Sequence, residues 1–158
     1  MLIAEVEKVK QQRIARTELL YRGDPLNPTS FHKYIDGVED IVLVVRTEKG
    51  FVFASYSEAA VGPGRVADRG GVLLSLSNRL VFPLWAGKRS VTFDSFFLIF
   101  GNSEVRLKHG EWKVFCNFGI ANGFFNAQGA TVNELLGEGK EREVKISAYE
   151  VHRVLFEQ

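Results

Sequence analysis

Three carboxylates lie near predicted loop or strand ends, where a general acid could be paired with a general base: Asp94, Glu104 and Glu134. Acid–base chemistry needs two such groups within hydrogen-bonding reach of one reacting atom. Glu104 is the strongest candidate, because it directly follows the turn-forming residues 101–103. A carboxylate at such a position also accepts backbone N–H bonds and fixes the turn. We favour this structural role for Glu104 and surface positions for the other two.

Three histidines, His32, His109 and His152, lie too far apart in the sequence to form a metal-binding motif, so we predict no metal site. The chain contains no P-loop, GxGxxG, HExxH, GxSxG or CxxC motif, and we predict neither a cofactor nor catalytic activity. His109 or His152 could still meet Glu104 in a cleft. That pairing defines the alternative function, an uncharacterised hydrolase or peroxide-handling enzyme.

Charge and cysteine content restrict the partners and the compartment. Twenty basic and nineteen acidic residues leave a net charge of +1 over 158 residues, too small to steer the whole molecule onto nucleic acid. No apolar run approaches the roughly 20 residues that cross a bilayer, so we predict no membrane span. The only cysteine, Cys116, rules out an internal disulfide and fits a reducing compartment. We therefore expect a cytoplasmic protein.

An amphipathic helix is predicted at the N-terminus, over residues 1–18, and it precedes a folded unit at residues 19–158. Leu2, Val6 and Val9 fall at helical spacing, but Arg13 and Arg16 interrupt the apolar stripe. Such a helix can dock on the core of its own domain. The alternative is self-association through this helix, as the end of a coiled coil or as the core of a structural oligomerisation domain.

The remaining chain alternates short apolar segments with turn residues, which favours antiparallel strands. A short helix is predicted to end at Gly37, and a helical turn is predicted over residues 132–136. Strands are predicted at residues 41–46, 51–56, 72–76, 80–82, 90–93, 97–100, 105–107, 112–118, 144–146 and 149–156. The predicted fold class is α+β, a two-sheet antiparallel β-sandwich flanked by short helices.

The order of these segments resembles the TLDc domain. Its opening motif corresponds to Leu19-Leu20-Tyr21-Arg22 followed by Phe31-His32, and its hairpin corresponds to residues 41–56. Residues 71–76, 100–107 and 149–156 are similar to three further motifs of the family. Ala54-Ser55 stand where the family has a double glycine, and Gly101-Asn102-Ser103 stand in its glycine-rich turn. The chain is thus identified as a divergent member, with the TLDc-like domain at residues 19–158.

The resemblance implies a non-enzymatic protein-interaction module that is linked to oxidative-stress resistance and binds peripheral subunits of the vacuolar proton pump. We expect the partner to contact exposed loops. The candidate residues are Arg65, Asp68 and Arg69 in the loop at 61–71, Gly101, Asn102, Ser103 and Glu104 in the following turn, and Asn122 and Asn126 in the loop at 122–129.

Overall fold

A computed structural model describes residues 1–23, 31–61, 70–84, 91–93, 98–100, 105–108, 111–116 and 143–158 of the chain. This part contains two short helices and ten strands. They are α1 (Leu2–Lys10), β1 (Ile14–Arg22), α2 (Phe31–Ile35), β2 (Ile41–Thr47), β3 (Val52–Ser57), β4 (Gly71–Ser75), β5 (Leu80–Pro83), β6 (Val91–Phe93), β7 (Leu98–Phe100), β8 (Val105–Lys108), β9 (Lys113–Cys116) and β10 (Glu143–Phe156).

Strand β10 is the central element of the sheet. It is 14 residues long and pairs with β1, β2 and β9. The described strands follow the order β5-β4-β3-β2-β10-β9-β8-β7-β6, and β1 adds to β10 beside this path. Every described pair is antiparallel. The prediction of a mostly antiparallel α+β fold with short helices is confirmed.

One face of the sheet, here called the inner face, encloses the main core. From β10 it includes Val144, Ile146, Tyr149 and Val151. Leu43 of β2 and Leu107 of β8 belong to the same cluster although β2 and β8 lie on opposite sides of β10. The sheet therefore curls around this core. Because pairing continues through β10, the division into two separate sheets stays a prediction.

A register shift between Ile146 and Ala148 interrupts the alternation of β10. Ile146 and Tyr149 both face the inner core, although they are separated by two residues. An extra residue of this kind is a β-bulge, and it reverses the pattern of faces beyond it. The two strands predicted at 144–146 and 149–156 are consequently one strand with a bulge.

The opposite face of the sheet, here called the outer face, is also apolar where β2, β3 and β4 pair. Along β2, Leu43 and Val45 face the inner core while Val42 and Val44 pack in a second cluster. The helix α1 covers part of this second cluster with Val6, which is buried. A strand that is buried on both faces has a continuous apolar sequence, and β2 shows this pattern.

The N-terminal helix is shorter than predicted. The helix α1 ends at Lys10, Gln11 adopts a left-handed conformation with φ of 59°, and residues 14–22 form β1. The helix predicted over residues 1–18 is wrong beyond Lys10, and the boundary between 18 and 19 falls inside β1. Pairing with β10 outweighs the helical preference of this segment. Of the two alternatives for the helix, docking on its own domain is the one observed.

The other local predictions agree with the structure to within one or two residues at the ends of the elements, wherever it describes them. The helix α2 ends at Ile35, and Gly37 has a φ of 76°, which suits the residue after a helix. Residues 41–47 and 52–57 form the predicted hairpin. The helical turn predicted over residues 132–136 lies outside the described residues.

Replacement of Leu43 by alanine tests the inner core. Leu43 is fully buried at the centre of β2, so we expect Leu43→Ala to lower the free energy of unfolding by about 2–5 kcal/mol. Leu19→Ala is the matched control, because the Leu19 side chain is 49% exposed on β1. Urea denaturation followed by circular dichroism measures both changes, and equal losses would contradict the assigned core.

Candidate functional site

None of the nine residues predicted as a contact surface falls in the described part of the chain. They are Arg65, Asp68, Arg69, Gly101, Asn102, Ser103, Glu104, Asn122 and Asn126. Their role as a binding surface stays a prediction. The described residues instead offer a site on the outer face of the sheet, beside α1.

A groove of about 230 Å³ lies between α1 and the outer face, and its walls are almost entirely apolar. Leu2 and Ile3 of α1 form one wall. Val44 of β2, Thr17 of β1 and His152 of β10 lie on the sheet side. The helix covers only part of the apolar outer face because it has nine residues, and the groove remains where that cover ends.

We call this groove the outer groove, and a polar network lies next to it. Glu150 Oε1 accepts a hydrogen bond from Arg22 Nε at 2.8 Å, and Glu150 Oε2 lies 2.9 Å from His152 Nε2. The hydrogen bond with His152 lowers the pKa of Glu150, desolvation opposes this change, and Arg22 lowers the pKa further. Since His152 also lines the groove, apolar and charged surfaces adjoin there.

The C-terminal end of α1 is held by a second network, here called the Lys10 cluster. Lys10 Nζ donates to Asp40 Oδ1 at 3.0 Å and to Glu58 Oε1 at 2.9 Å. The hydroxyl of Tyr56 donates to the same Asp40 oxygen at 2.8 Å. Lys10 Nζ also lies 5.4 Å from the centre of the Phe156 ring, within the range of a cation–π contact. These contacts join α1 to the residue that follows β3, to β10 and to the segment before β2.

The pKa of Lys10 reflects this environment. Desolvation lowers it, but the hydrogen bonds and charges of Glu58 and Asp40 outweigh desolvation and raise it above 10.5. Asp40 itself has a left-handed φ of 54°, and its carbonyl accepts a 2.8 Å hydrogen bond from the backbone N–H of Val154. The Asp40 carboxylate is thus positioned by backbone bonding before it meets Lys10.

Two of the motifs that carry the family resemblance meet in this part of the fold. The opening motif, residues 19–22, lies on β1, and the closing motif, residues 149–156, lies on β10, which pairs with β1. A family model of the TLDc domain matches residues 3–155, nearly the whole chain. The chain belongs to the TLDc domain family. No curated protein sequence matches it.

The matched region of this TLDc domain includes β1 and all of α1 except its first residue, so every residue that lines the outer groove except Leu2 lies within the family match. Within the described residues, no three His, Cys, Asp or Glu side chains come together as ligands of a metal ion would. In the same residues no helix has the length and apolar character needed to cross a membrane. The pairing of Glu104 with a histidine involves a residue outside this part and stays a hypothesis.

Sequence reasoning missed the Lys10 cluster, although one signal for it was present. Leu2, Val6 and Lys10 are spaced by four residues, so Lys10 continues the buried stripe of α1. A lysine on a buried stripe requires partners for its ammonium group. Asp40 and Glu58 carry no comparable signal, because the pairing of Ile41 with Ser57 alone brings them together.

The Lys10 cluster of this TLDc domain predicts a stability change with a defined pH dependence. Lys10→Met keeps an apolar side chain against Phe156 but leaves the carboxylates of Asp40 and Glu58 without their shared cation. We expect a loss of about 1–2 kcal/mol in the free energy of unfolding at neutral pH, since partial exposure screens these charges. Lys8→Met is the control, because the Lys8 side chain is 77% exposed.

The pH dependence follows from the direction of the Lys10 shift. A pKa raised in the folded state gives a contribution that is complete below pH 10.5 and is lost as the pH rises through the folded-state pKa. The stability difference between wild type and Lys10→Met should therefore be constant near neutral pH and shrink above pH 10.5. Urea titrations at several pH values measure it. If the stability difference between wild type and Lys10→Met increases above pH 10.5, Lys10 does not stabilise the domain through its positive charge.

Proposed function

We propose that this TLDc domain works by binding a protein partner at the outer groove, without catalysis of its own. The observation that carries the proposal is the apolar surface left open beside α1. Ile3 lines the groove and is 61% exposed, and Met1 and Leu19 are 47% and 49% exposed. Exposed apolar surface around a groove is the usual mark of a binding site.

The proposal extends to the partner and to the biological role. Family membership supports a module for oxidative-stress resistance that binds peripheral subunits of the vacuolar proton pump. The single cysteine supports a cytoplasmic location, where thiols stay reduced. In this proposal the two halves of the curled sheet pack as a sandwich and present the outer face as a rigid platform. A rigid platform binds with little loss of conformational entropy.

Substitution of Ile3 by glutamate tests the groove as the contact surface. A charge at this position places a carboxylate where the partner's apolar side chain would lie, so we expect Ile3→Glu to weaken binding about tenfold or more. Ala4→Glu is the matched control, because Ala4 is exposed on the same helix and is not part of the groove. The measurement is retention of the purified peripheral sector of the proton pump on the immobilised chain.

Three results would refute parts of the proposal separately. Failure of the wild-type chain to retain the pump sector would refute that partner. If Ile3→Glu and Ala4→Glu retain the pump sector equally well, the outer groove is not the contact surface. If the purified domain consumes peroxide and Glu104→Gln abolishes this activity, the domain functions as an enzyme and the proposal of a purely binding role is wrong. Thermal unfolding of each variant confirms that the folded state is compared throughout.

A further inference from the structure

A row of three lysines crosses the outer face of the sheet where β8, β9 and β10 pair. Lys113 is directly opposite Lys108 on one side and Lys145 on the other. Their chain neighbours Leu107 and Val114 are buried in the inner core, so the three lysines project from the opposite face. Lys108, Lys113 and Lys145 are here called the lysine row.

Such an arrangement is unfavourable unless anions balance it. Side chains directly opposite in antiparallel strands have Cβ atoms about 4.5–5.5 Å apart, and like charges in these positions destabilise the pair. Two carboxylates offset part of the charge. Glu111 contacts Lys108 and lies 3.8 Å from Lys113, and Glu143 lies 2.6 Å from Lys113. The hydrogen bond with Glu143 raises the pKa of Lys113, so this lysine is charged at neutral pH.

Positive charge remains after this compensation. Arg106 lies on the same face, because its chain neighbours Val105 and Leu107 are both buried in the inner core. Lys108 and Lys113 are paired with Glu111 and Glu143, whereas within the described residues Arg106 and Lys145 form no ion pair. Arg106 and Lys145 are exposed, and Phe115 is half-buried beside them. The described part of this surface therefore combines two cations without an ion pair, Arg106 and Lys145, with a half-buried aromatic ring.

We propose that the lysine row binds an acidic segment of a protein partner. The inference rests on the proposed function, because it takes the ligand to be a protein. Carboxylates on one face of an extended peptide lie about 6–7 Å apart, which leaves room for Glu111 and Glu143 between them. An apolar residue of the same segment can pack on Phe115. The partner is thus recognised by alternating acidic and apolar residues.

A denser polyanion fits this surface less well. Duplex DNA carries one negative charge for about every 1.7 Å of its axis, and an anionic bilayer presents a continuous charged plane. Either ligand would bring several charges against Glu111 and Glu143. The net charge of +1 for the chain also provides no general attraction to such surfaces. The interleaved carboxylates therefore favour a ligand whose charges are spaced.

The outer groove and the lysine row lie along the same face of β10. Lys145 and His152 are seven residues apart, which corresponds to about 23 Å along a strand. In a regular strand, residues seven apart face opposite sides, but the bulge after Ile146 shifts the alternation by one residue. Tyr149 and Val151 therefore face the inner core, and His152 lies on the outer face together with Lys145. One partner can therefore place an apolar segment in the groove and an acidic segment on the lysine row.

The test uses the full chain and a fluorescein-labelled peptide of alternating glutamate and leucine, titrated by fluorescence anisotropy. We expect saturable binding that weakens as the salt concentration rises from about 0.05 M to about 0.5 M. Lys145→Glu should weaken it about tenfold and Lys145→Gln by a smaller factor, because reversal adds repulsion to the lost attraction. Lys8→Glu is the matched control and should leave it unchanged, since Lys8 is exposed on α1 outside the row.

Several outcomes would overturn the inference. The first is that the peptide does not bind. The second is that Lys145→Glu and Lys8→Glu weaken peptide binding equally. The third is that single-stranded DNA or phosphatidylserine vesicles bind more tightly than the peptide and that their binding depends on Lys145. The groove variant separates this inference from the proposed function. If Ile3→Glu abolishes retention of the pump sector while Lys145→Glu leaves both retention and peptide binding intact, only the role of the lysine row is lost.

Discussion

Backbone pairing along β10 is the interaction on which the rest of this fold depends. The strand pairs with β2 over residues 146–153, with β1 over residues 150–156 and with β9 over residues 143–145. No other described strand joins the two halves of the sheet. The bulge after Ile146 changes which residues face the core, so the same strand carries the charged residues Glu143 and Lys145 outward at one end and the apolar residues Val154 and Phe156 outward at the other.

The outer face shows how a sheet can remain apolar on both sides and yet be only partly covered. The inner face is enclosed by the curl of the sheet itself, whereas the outer face is covered in the described structure by the nine residues of α1. Val6 is buried there, but Ile3 is not. The groove follows from this mismatch between the length of α1 and the width of the apolar surface beneath it.

Much of the strand pattern could be predicted from the sequence because its signals are local. Residues 41–57 combine an apolar run, a Glu-Lys-Gly turn and a second apolar run, and they form the β2–β3 hairpin. The course of residues 14–22 could not be predicted in this way, since their extended conformation depends on pairing with β10, more than a hundred residues later. The same applies to Glu150 and Arg22, whose contact exists only in the folded sheet.

The candidate site also depends on contacts that are distant in sequence. A nine-residue helix is not stable alone in water, so α1 stays helical only while Val6 and the Lys10 cluster hold it on the sheet. Leu2 and Ile3 line the groove only in that docked state. A ligand in the groove would therefore stabilise α1 and, through it, the ion pairs of Lys10. Binding at the outer groove and the stability of the domain are, for this reason, coupled through one short helix.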